Sequence, residues 1–431
     1  MNKNSSSRMP SAMSVLRNPL KSTSPSSNYN ITSTWYHNLP IPILVKIFRY
    51  FTQLELKSLM LVCIQWKYAA QHPDLWKSLT IRGNDVPINF ICKKIRSWTK
   101  LESVRADDIL EPATVIRQVC RCIPGIKHLA IRHCTPGTVP ESAIRFVIKS
   151  CPRLESLDLS GTQIKGTTFY KELSSLTHLK KLNLSDNPHL GAKDLITAVL
   201  NCRKLNDLRV SKYVCKSEVL KDDDAVLIFL STCDRLISLA FDCATFSVST
   251  FGVVFNCRKL ERLALFSATK LVGEQFASIW QQFPRLKVLK ITNAYQINDI
   301  HVMELFEDGE RVMKKLTVLD LSGCWKITEG SLDIIANVAR NLEKLSLKSC
   351  KSITSLESVS KYLLQLKMLN MAFMKSLRLI TAFPLPRKLK KLYIDENDEI
   401  LGWLKSLEDN HSFEVKICLS EYNKNIKDAE L

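Results

Sequence analysis

Along most of the chain the apolar positions repeat as one phrase, L-x-x-L-x-L. It stands clearly at Leu154/Leu157/Leu159, Leu179/Leu182/Leu184, Leu260/Leu263/Leu265, Leu316/Leu319/Leu321 and Leu342/Leu345/Leu347. More degenerate copies carry it back to Leu101/Val104/Ala106 and forward to Leu389/Leu392/Ile394. Twelve copies begin between residues 101 and 389, a period of about 26 residues. Trp76/Leu79/Ile81 fits as an opening unit and Val415/Ile417 as a degenerate closing strand. The alternating leucines predict a short strand with one buried face, because side chains in a strand alternate between faces. Stretches such as residues 141–149, apolar at helical spacing, predict the return helices. No single strand–helix coil can bury its own apolar face, so neighbouring coils must stack around one continuous core. A doubly wound α/β enzyme also alternates strand and helix, but a constant period with a repeated leucine phase argues against it.

Ahead of the repeats the pattern changes. Ile43, Leu44, Ile47, Phe48 and Phe51 lie at helix spacing after Leu39-Pro40, with Pro42 in the first turn where its missing N–H costs nothing. Two further short helices are predicted, one over Leu54, Leu56, Leu59 and Met60 and one over Cys63, Trp66, Ala69 and Ala70. So small a unit buries little by itself and needs a partner. Residues 1–34 are Ser-rich and basic, without apolar periodicity, and are expected to be disordered; residues 419–431 form a C-terminal tail. The expected organisation is therefore 1–34 tail, 35–78 helical unit, 79–418 repeat solenoid of about 12–14 units, and 419–431 tail.

Fourteen cysteines raise the question of disulfides or metal. Counted from the first Leu of a unit, Cys134, Cys324 and Cys350 occupy the ninth position, where Asn187 and Asn397 stand in other units. Cys151, Cys202, Cys233 and Cys257 each lie three residues before a unit's first Leu, at the end of the preceding helix. These seven are expected to pack as reduced thiols, which points to the cytoplasm or nucleus. Cys120-Arg-Cys122 has no matching pair at zinc spacing, so no metal is expected. The nearest phosphate-loop match, Gly161 to Thr168, lacks the lysine after its second glycine, and no protease or dinucleotide motif occurs. Neither catalysis nor a cofactor is expected. No apolar run is long enough for a membrane span.

The block Leu39-Pro40, Ile43-Leu44, Ile47-Phe48, Leu54-Glu55-Leu56, Val62-Cys63, Trp66 and Leu75-Trp76 resembles an F-box. The repeats, with cysteine at the ninth position, resemble cysteine-containing leucine-rich repeats. In this order the two look like the F-box/leucine-rich-repeat family over about residues 35–418. The resemblance implies an α/β solenoid with parallel strands on the concave face and helices on the convex face, preceded by three helices. It implies a non-catalytic substrate receptor of an SCF-type cullin-RING ubiquitin ligase, which docks on the Skp adaptor and delivers a protein for proteasomal degradation. Adaptor contacts carried over by the resemblance are Leu39, Pro40, Ile43, Leu44, Ile47, Phe48, Leu54, Leu56, Val62, Cys63 and Trp66, some of which also suit the unit's own core. The chain departs from the family at Ile41-Pro42, where an acid usually follows the first proline, and at Ile64-Gln65, where a basic residue is common. The alternative is a scaffold that binds the Skp adaptor without serving ubiquitin transfer.

Charge sharpens the expected cargo. The net charge is +19, of which Lys3, Arg8, Arg17 and Lys21 account for four. At the third, fifth and seventh positions, which face away from the core, stand Arg209, Arg262, Lys290, Lys344 and Lys348, with Phe266 and Tyr393 as apolar companions. Opposing them are Asp107, Asp158, Asp207, Asp242, Asp320 and Asp395. An acidic or phosphorylated protein segment is the expected ligand of this face. Nucleic acid ranks last, since no basic helix or aromatic-interleaved basic patch is evident.

Overall fold

The computed structural model describes residues 39–83, 87–134, 139–164, 168–187, 202, 204–210, 235–244, 246–254, 257–377, 385–395 and 413–418. The side chains of Gln53, Leu54, Val253 and Val254 are not among them. The expected tails, and with them Cys233 and Asn397, lie outside the described residues. The chain divides into two compact units between Gln71 and His72, earlier than the boundary expected near residue 78. The difference has a local cause. Trp76, counted with the helical unit in the sequence, stacks on Trp98 with ring centroids 4.2 Å apart, both rings buried at the start of the second unit.

The first unit holds helices α1 (Ile41–Phe48), α2 (Gln53–Leu59) and α3 (Ile64–Ala70). Pro42 sits in the first turn of α1. A reciprocal capping box starts α2: Thr52 N–H donates to Glu55 Oε2 at 2.6 Å, and Glu55 N–H donates to Thr52 Oγ1 at 3.4 Å. Cys63 caps α3 by accepting from the Trp66 N–H at 3.4 Å. Leu44, Val45, Phe48, Leu56, Ala69 and Ala70 form the small core, closed by an edge-on contact of Phe48 with Trp66 at 5.4 Å.

Among the described residues, the second unit is a single sheet of fourteen parallel strands in chain order. They are β1 (Ser78–Arg82), β2 (Ser103–Asp107), β3 (His128–Arg132), β4 (Ser156–Asp158), β5 (Lys181–Asn183), β6 (Asp207–Val210) and β7 (Ser238–Asp242). The series continues with β8 (Arg262–Phe266), β9 (Val288–Ile291), β10 (Val318–Asp320), β11 (Lys344–Ser346), β12 (Met368–Asn370), β13 (Lys391–Asp395) and β14 (Glu414–Cys418). Register does not slip along the sheet: Leu157, Leu182, Leu208, Leu239, Leu263 and Leu289 stand side by side across β4–β9. These leucines are almost completely buried, each worth roughly 1.5–3 kcal/mol relative to exposure. Return helices such as Pro112–Cys122 and Glu141–Ser150 bury one apolar stripe each, for example Val115, Ile116 and Val119. The leucine-rich-repeat solenoid is the fold of this unit.

Three devices at the end of each strand follow from particular positions. At the fifth position Asp158, Asn183, Asp320 and Asn370 accept the N–H two residues on, at 3.0–3.2 Å. These Asx turns end their strands after three residues, whereas β2, β3, β7 and β8, without an Asx there, run to five. The eighth position is left-handed in unit after unit: Gly83, Asp108, His133, Gly161, Asp186, Ser267, Asn293, Gly323, Ser349 and Phe373 all have positive φ. At the ninth, a donor reaches back to a strand carbonyl. Asn187 Nδ2 donates to Leu159 O at 2.8 Å, and the Cys350 thiol donates to Leu321 O at 3.2 Å, each in the preceding coil. Cys and Asn alternate there because both are small donors that fit a buried corner.

A charge ladder runs along the opposite end of the strands. Glu102 accepts from Lys77 at 2.7 Å and Lys127 at 3.1 Å, and the pairs Lys180–Glu155, Lys287–Glu261 and Lys367–Glu343 continue it at 2.7–2.9 Å. A coil shifted by one residue would break these contacts and expose its leucines.

Two outcomes follow. Gly161 has φ +64, and a Cβ there would lie 2.6 Å from His133 Nδ1. Gly161→Ala should cost about 1–3 kcal/mol, read from the urea midpoint; an unchanged midpoint contradicts the eighth-position requirement. The two lysines hold the Glu102 carboxyl down to about 2. Its contribution is therefore complete above the ordinary glutamate range near pH 4.3 and lost as pH falls through about 2. An NMR titration of Glu102 should show this depressed midpoint, and Lys127→Met should move it upward.

Candidate functional site

In-register pairing converts the repeat into rows of side chains on the strand face. Across β6–β9 the third-position row reads Asp207, Ser238, Arg262 and Val288, and the fifth-position row reads Arg209, Ala240, Ala264 and Lys290. Arg209 Nε lies 3.2 Å from Asp207 Oδ1, and an Arg262 terminal nitrogen lies 3.5 Å from Asp207 Oδ2. Strands β6 and β8 are separated by β7, about 10 Å in all, so the Arg262 side chain reaches across Ser238 to make its contact. Ser238 is buried beneath it. Ser238 Oγ and Arg262 Nε are both buried without a hydrogen-bond partner, and each such orphan costs about 1–3 kcal/mol.

Lys290 is the less expected member. It is only 8% exposed, and no carboxylate among the described residues lies within ion-pairing distance of it. Burial chiefly depresses its pKa; Asp320 opposes this, while Lys344 and Arg209 add to it. The two alanines of the fifth-position row form a buried cluster with Phe266. Four of the expected ligand contacts, Arg209, Arg262, Phe266 and Lys290, thus share one region.

The other three lie further along the sheet, with Lys344 still near enough to act on Lys290. Lys344 and Lys348 lie on and just past β11, and Tyr393 lies on β13, four strand spacings or about 19 Å from Lys290. Lys348 stands 5.3 Å from the Phe373 ring centroid and Lys416 5.5 Å from that of Tyr393. Phe266 and Tyr393 are each 8% exposed, as is Lys290, so all three are packed into the face.

All six opposing acids are engaged. Asp158 and Asp320 accept the N–H groups that end their own strands, and Asp242 does so from Ala244 at 3.1 Å. Asp395 accepts from the Phe373 N–H at 2.9 Å. Asp107 takes Arg132 at 2.9 Å and Arg105 at 2.8 Å, while Asp207 is shared by Arg209 and Arg262. The sequence shows the acids but not that four of the six accept backbone N–H groups, which occupy an oxygen without cancelling the charge.

Two cysteines at the ninth position are chemically quiet. Burial pushes the Cys134 thiol up to about 11 and the Cys324 thiol up to about 12. Both stay protonated near neutrality, which disfavours thiolate chemistry. Among the described residues no three His, Cys, Asp or Glu side chains come together as a metal site.

The helical unit offers a different surface. Of the adaptor contacts carried over, Leu44, Phe48 and Leu56 are buried in the core and present no surface in this state. Trp66 packs on Phe48, Cys63 caps α3, and the Leu39 carbonyl accepts from Gln65 Nε2 at 2.7 Å. The Leu54 side chain lies outside the described residues. Pro40, Ile43, Ile47 and Val62 are exposed. Alongside them the sequence reading omitted Leu61 at 84%, Ile64 at 74% and Tyr68. Ile43/Ile47 on α1 and Ile64/Tyr68 on α3 are i,i+4 pairs that leave apolar stripes in water. Spacing alone signals this: α1 has more apolar positions than one buried stripe can use.

Comparison with known proteins agrees with both units. A family model described as F-box-like matches residues 36–82, and one described as Leucine Rich repeat matches residues 175–197. "Putative RNA-binding protein EEED8.10" of Caenorhabditis elegans is 25% identical over 200 residues, covering 46% of this chain and 24% of that protein. "F-box/LRR-repeat protein 21" of Bos taurus is 22% identical over 206 residues, covering 42% of this chain and 47% of that protein. The chain is thus matched over roughly a quarter to a half of the length of these curated relatives. In fold it is similar to a chain of the Rad7 and Elc1 complex in yeast, with TM-score 0.60, 15% identity, and 83% of this chain and 89% of that one covered.

Proposed function

The chain is an F-box/leucine-rich-repeat protein, and from that premise we propose that it is the substrate-recognition subunit of an SCF-type cullin-RING ubiquitin ligase. The helical unit docks on the Skp adaptor, and the strand face of the solenoid holds a protein substrate for ubiquitination and proteasomal degradation. The observation that carries the reading is the pair of exposed apolar stripes on α1 and α3, in a unit whose core is already filled. Ile43, Ile47, Val62, Ile64 and Tyr68 are the side chains whose burial would drive docking, at roughly 25 cal/mol per Å² of apolar surface removed from water. The protein itself acts without catalysis: it contributes proximity, while bond making belongs to other subunits. Its buried, protonated thiols suit the reducing cytoplasm or nucleus.

An aspartate at Ile47 or Ile64 leaves the core intact and places a charge in the docking face. Each variant should weaken adaptor binding by about tenfold to a hundredfold while the thermal midpoint stays within a few degrees of the parent. Co-purified cullin should fall in parallel. Recovery of adaptor without cullin from the parent protein would favour a scaffold outside the ligase; undiminished adaptor binding by both variants would refute the docking face.

A further inference from the structure

The outer side of the helix layer carries a stripe of positive charge that neither the strand face nor the helical unit uses. Helices α4 (Ile88–Ser97), α5 (Pro112–Cys122) and α6 (Glu141–Ser150) pack side by side in consecutive coils. Their apolar sides, among them Ile91, Ile95, Val115, Val119, Ile144 and Val147, are buried in the solenoid. Counted back from the first apolar residue of the next unit, the fifth position is Arg96, Arg121 and Lys149. The ninth is Arg117 in α5 and Arg145 in α6, with Lys93 beside them in α4, and all six side chains are exposed. Residues four apart lie about 6 Å apart along a helix and neighbouring helices about 10 Å apart, so the stripe measures about 6 by 20 Å. Across the three helices seven cations stand against one acid, Glu141, leaving +6 (7 − 1). The seventh cation, Lys94, is turned aside over the Phe90 and Trp98 rings at 5.3 and 4.9 Å. Glu141 accepts from the Phe169 N–H at 2.8 Å, and Glu111 at the head of α5 accepts from Thr114 at 3.1 Å. Glu172 on the next helix pairs with Arg145 at 2.7 Å. Lys93, Arg96, Arg117, Arg121 and Lys149 make no ion pair among the described residues. The charge is local. Helices Asp299–Glu307, Glu310–Met313, Glu329–Val338 and Glu357–Tyr362 hold two cations and seven acids, or −5 (2 − 7). Like charges four residues apart, as in Arg117/Arg121, oppose helix formation, and an anionic partner would relieve that repulsion.

We propose that this stripe on α4–α6 binds the phosphate backbone of double-stranded DNA. Its chemistry separates that partner from the alternatives. A protein interface needs an apolar centre. The large apolar side chains exposed on these helices are Phe90, beneath Lys94, and Phe146 at 37%, on helices separated by α5. Two rings so placed make neither an apolar centre nor the run of stacking platforms that a single strand needs. A membrane takes up the apolar side of an amphipathic helix, and here that side faces the solenoid core. Duplex DNA asks only for cations: it carries one charge per about 1.7 Å of axis, so about 20 Å of it presents about twelve. Four of the six cations in the stripe are arginines, whose planar fork matches phosphate oxygens. Duplex RNA is recognised partly through its 2′-hydroxyls. Gln118, the neutral hydrogen-bonding side chain set between Arg117 and Arg121, is already engaged by Cys122 at 2.8 Å and Arg96 at 3.4 Å. The stripe is hidden in the sequence because Arg96, Arg121 and Lys149 belong to three different coils. The inference does not depend on the ligase reading.

Fluorescence anisotropy of the full chain with a labelled DNA duplex of about 20 base pairs, in about 0.1 M salt, tests the proposal. The triple variant Arg96→Gln/Arg121→Gln/Lys149→Gln should bind about tenfold or more weaker than the parent. Its slope of log affinity against log salt should be shallower by about 2–3, because three phosphate contacts are lost. These positions are exposed, so its thermal midpoint should stay within about 2 degrees of the parent and a loss of binding cannot come from unfolding. A control triple with the same change of charge at exposed positions elsewhere, Lys270→Gln/Lys326→Gln/Lys375→Gln, should bind within about twofold of the parent. Both triples keep Lys3, Arg8, Arg17 and Lys21, so those residues cannot account for a difference between them. Unchanged affinity in the stripe triple, or an equal loss in the control triple, would overturn the proposal. Tighter binding of single-stranded DNA or of duplex RNA of the same length would overturn it in favour of that nucleic acid. Sedimentation with phosphatidylserine vesicles, abolished in the stripe triple and without DNA binding by the parent, would overturn it in favour of a membrane. None of these readouts involves the adaptor or cullin, so the proposal can fail while the ligase reading stands, and the reverse.

Discussion

Parallel pairing without a register slip is the constraint on which the second unit depends. Each coil exposes a strand whose leucines can be buried only by the coils on either side, and a one-residue shift would turn them all to water. The chain enforces the register at both ends of the strands. Lysine and glutamate alternate across β1–β5 at the leading end. At the trailing end a left-handed eighth residue turns the backbone, and an Asn or Cys at the ninth satisfies the carbonyl of the coil before. These contacts link one coil to the next, so the sheet is specified pair by pair.

The same constraint makes a surface out of a sequence period. Because position three meets position three and position five meets position five, residues 23–31 apart in the chain become neighbours in space. Asp207, Ser238 and Arg262 form one row for this reason, although nothing in their local sequence connects them. Rows also decide which charges remain available. Acids at the fifth position tend to be consumed by the strand-ending N–H, whereas Lys290, at the same position, has no such partner.

Much of the architecture was legible in the residues. The leucine phase predicted the strands and their buried faces, whereas the parallel order came with the family resemblance. What stayed hidden depends on geometry that no single stretch of sequence encodes. The eighth position is held by Gly, Asp, His, Asn, Ser and even Phe, so its left-handed backbone carries no single residue signature. In the helical unit, Leu44 and Ile43 look equivalent in composition; helix packing buries the first and exposes the second. Leu61 and Tyr68 carry no motif signature, and Ile64 stands where the family pattern has a basic residue, so their exposure shows only once α3 is packed. Lys290 and Tyr393 both read as strand-face contacts, but only a count of strands shows them to be four strands apart.

The most direct measurement of the account is affinity purification of the full chain from its own cells, with and without proteasome inhibition, quantified by mass spectrometry. A substrate receptor should recover Skp adaptor and cullin under both conditions, together with a small set of proteins that rises when degradation is blocked. Recovery of the adaptor alone, with no cullin and no protein that responds to inhibition, would contradict it.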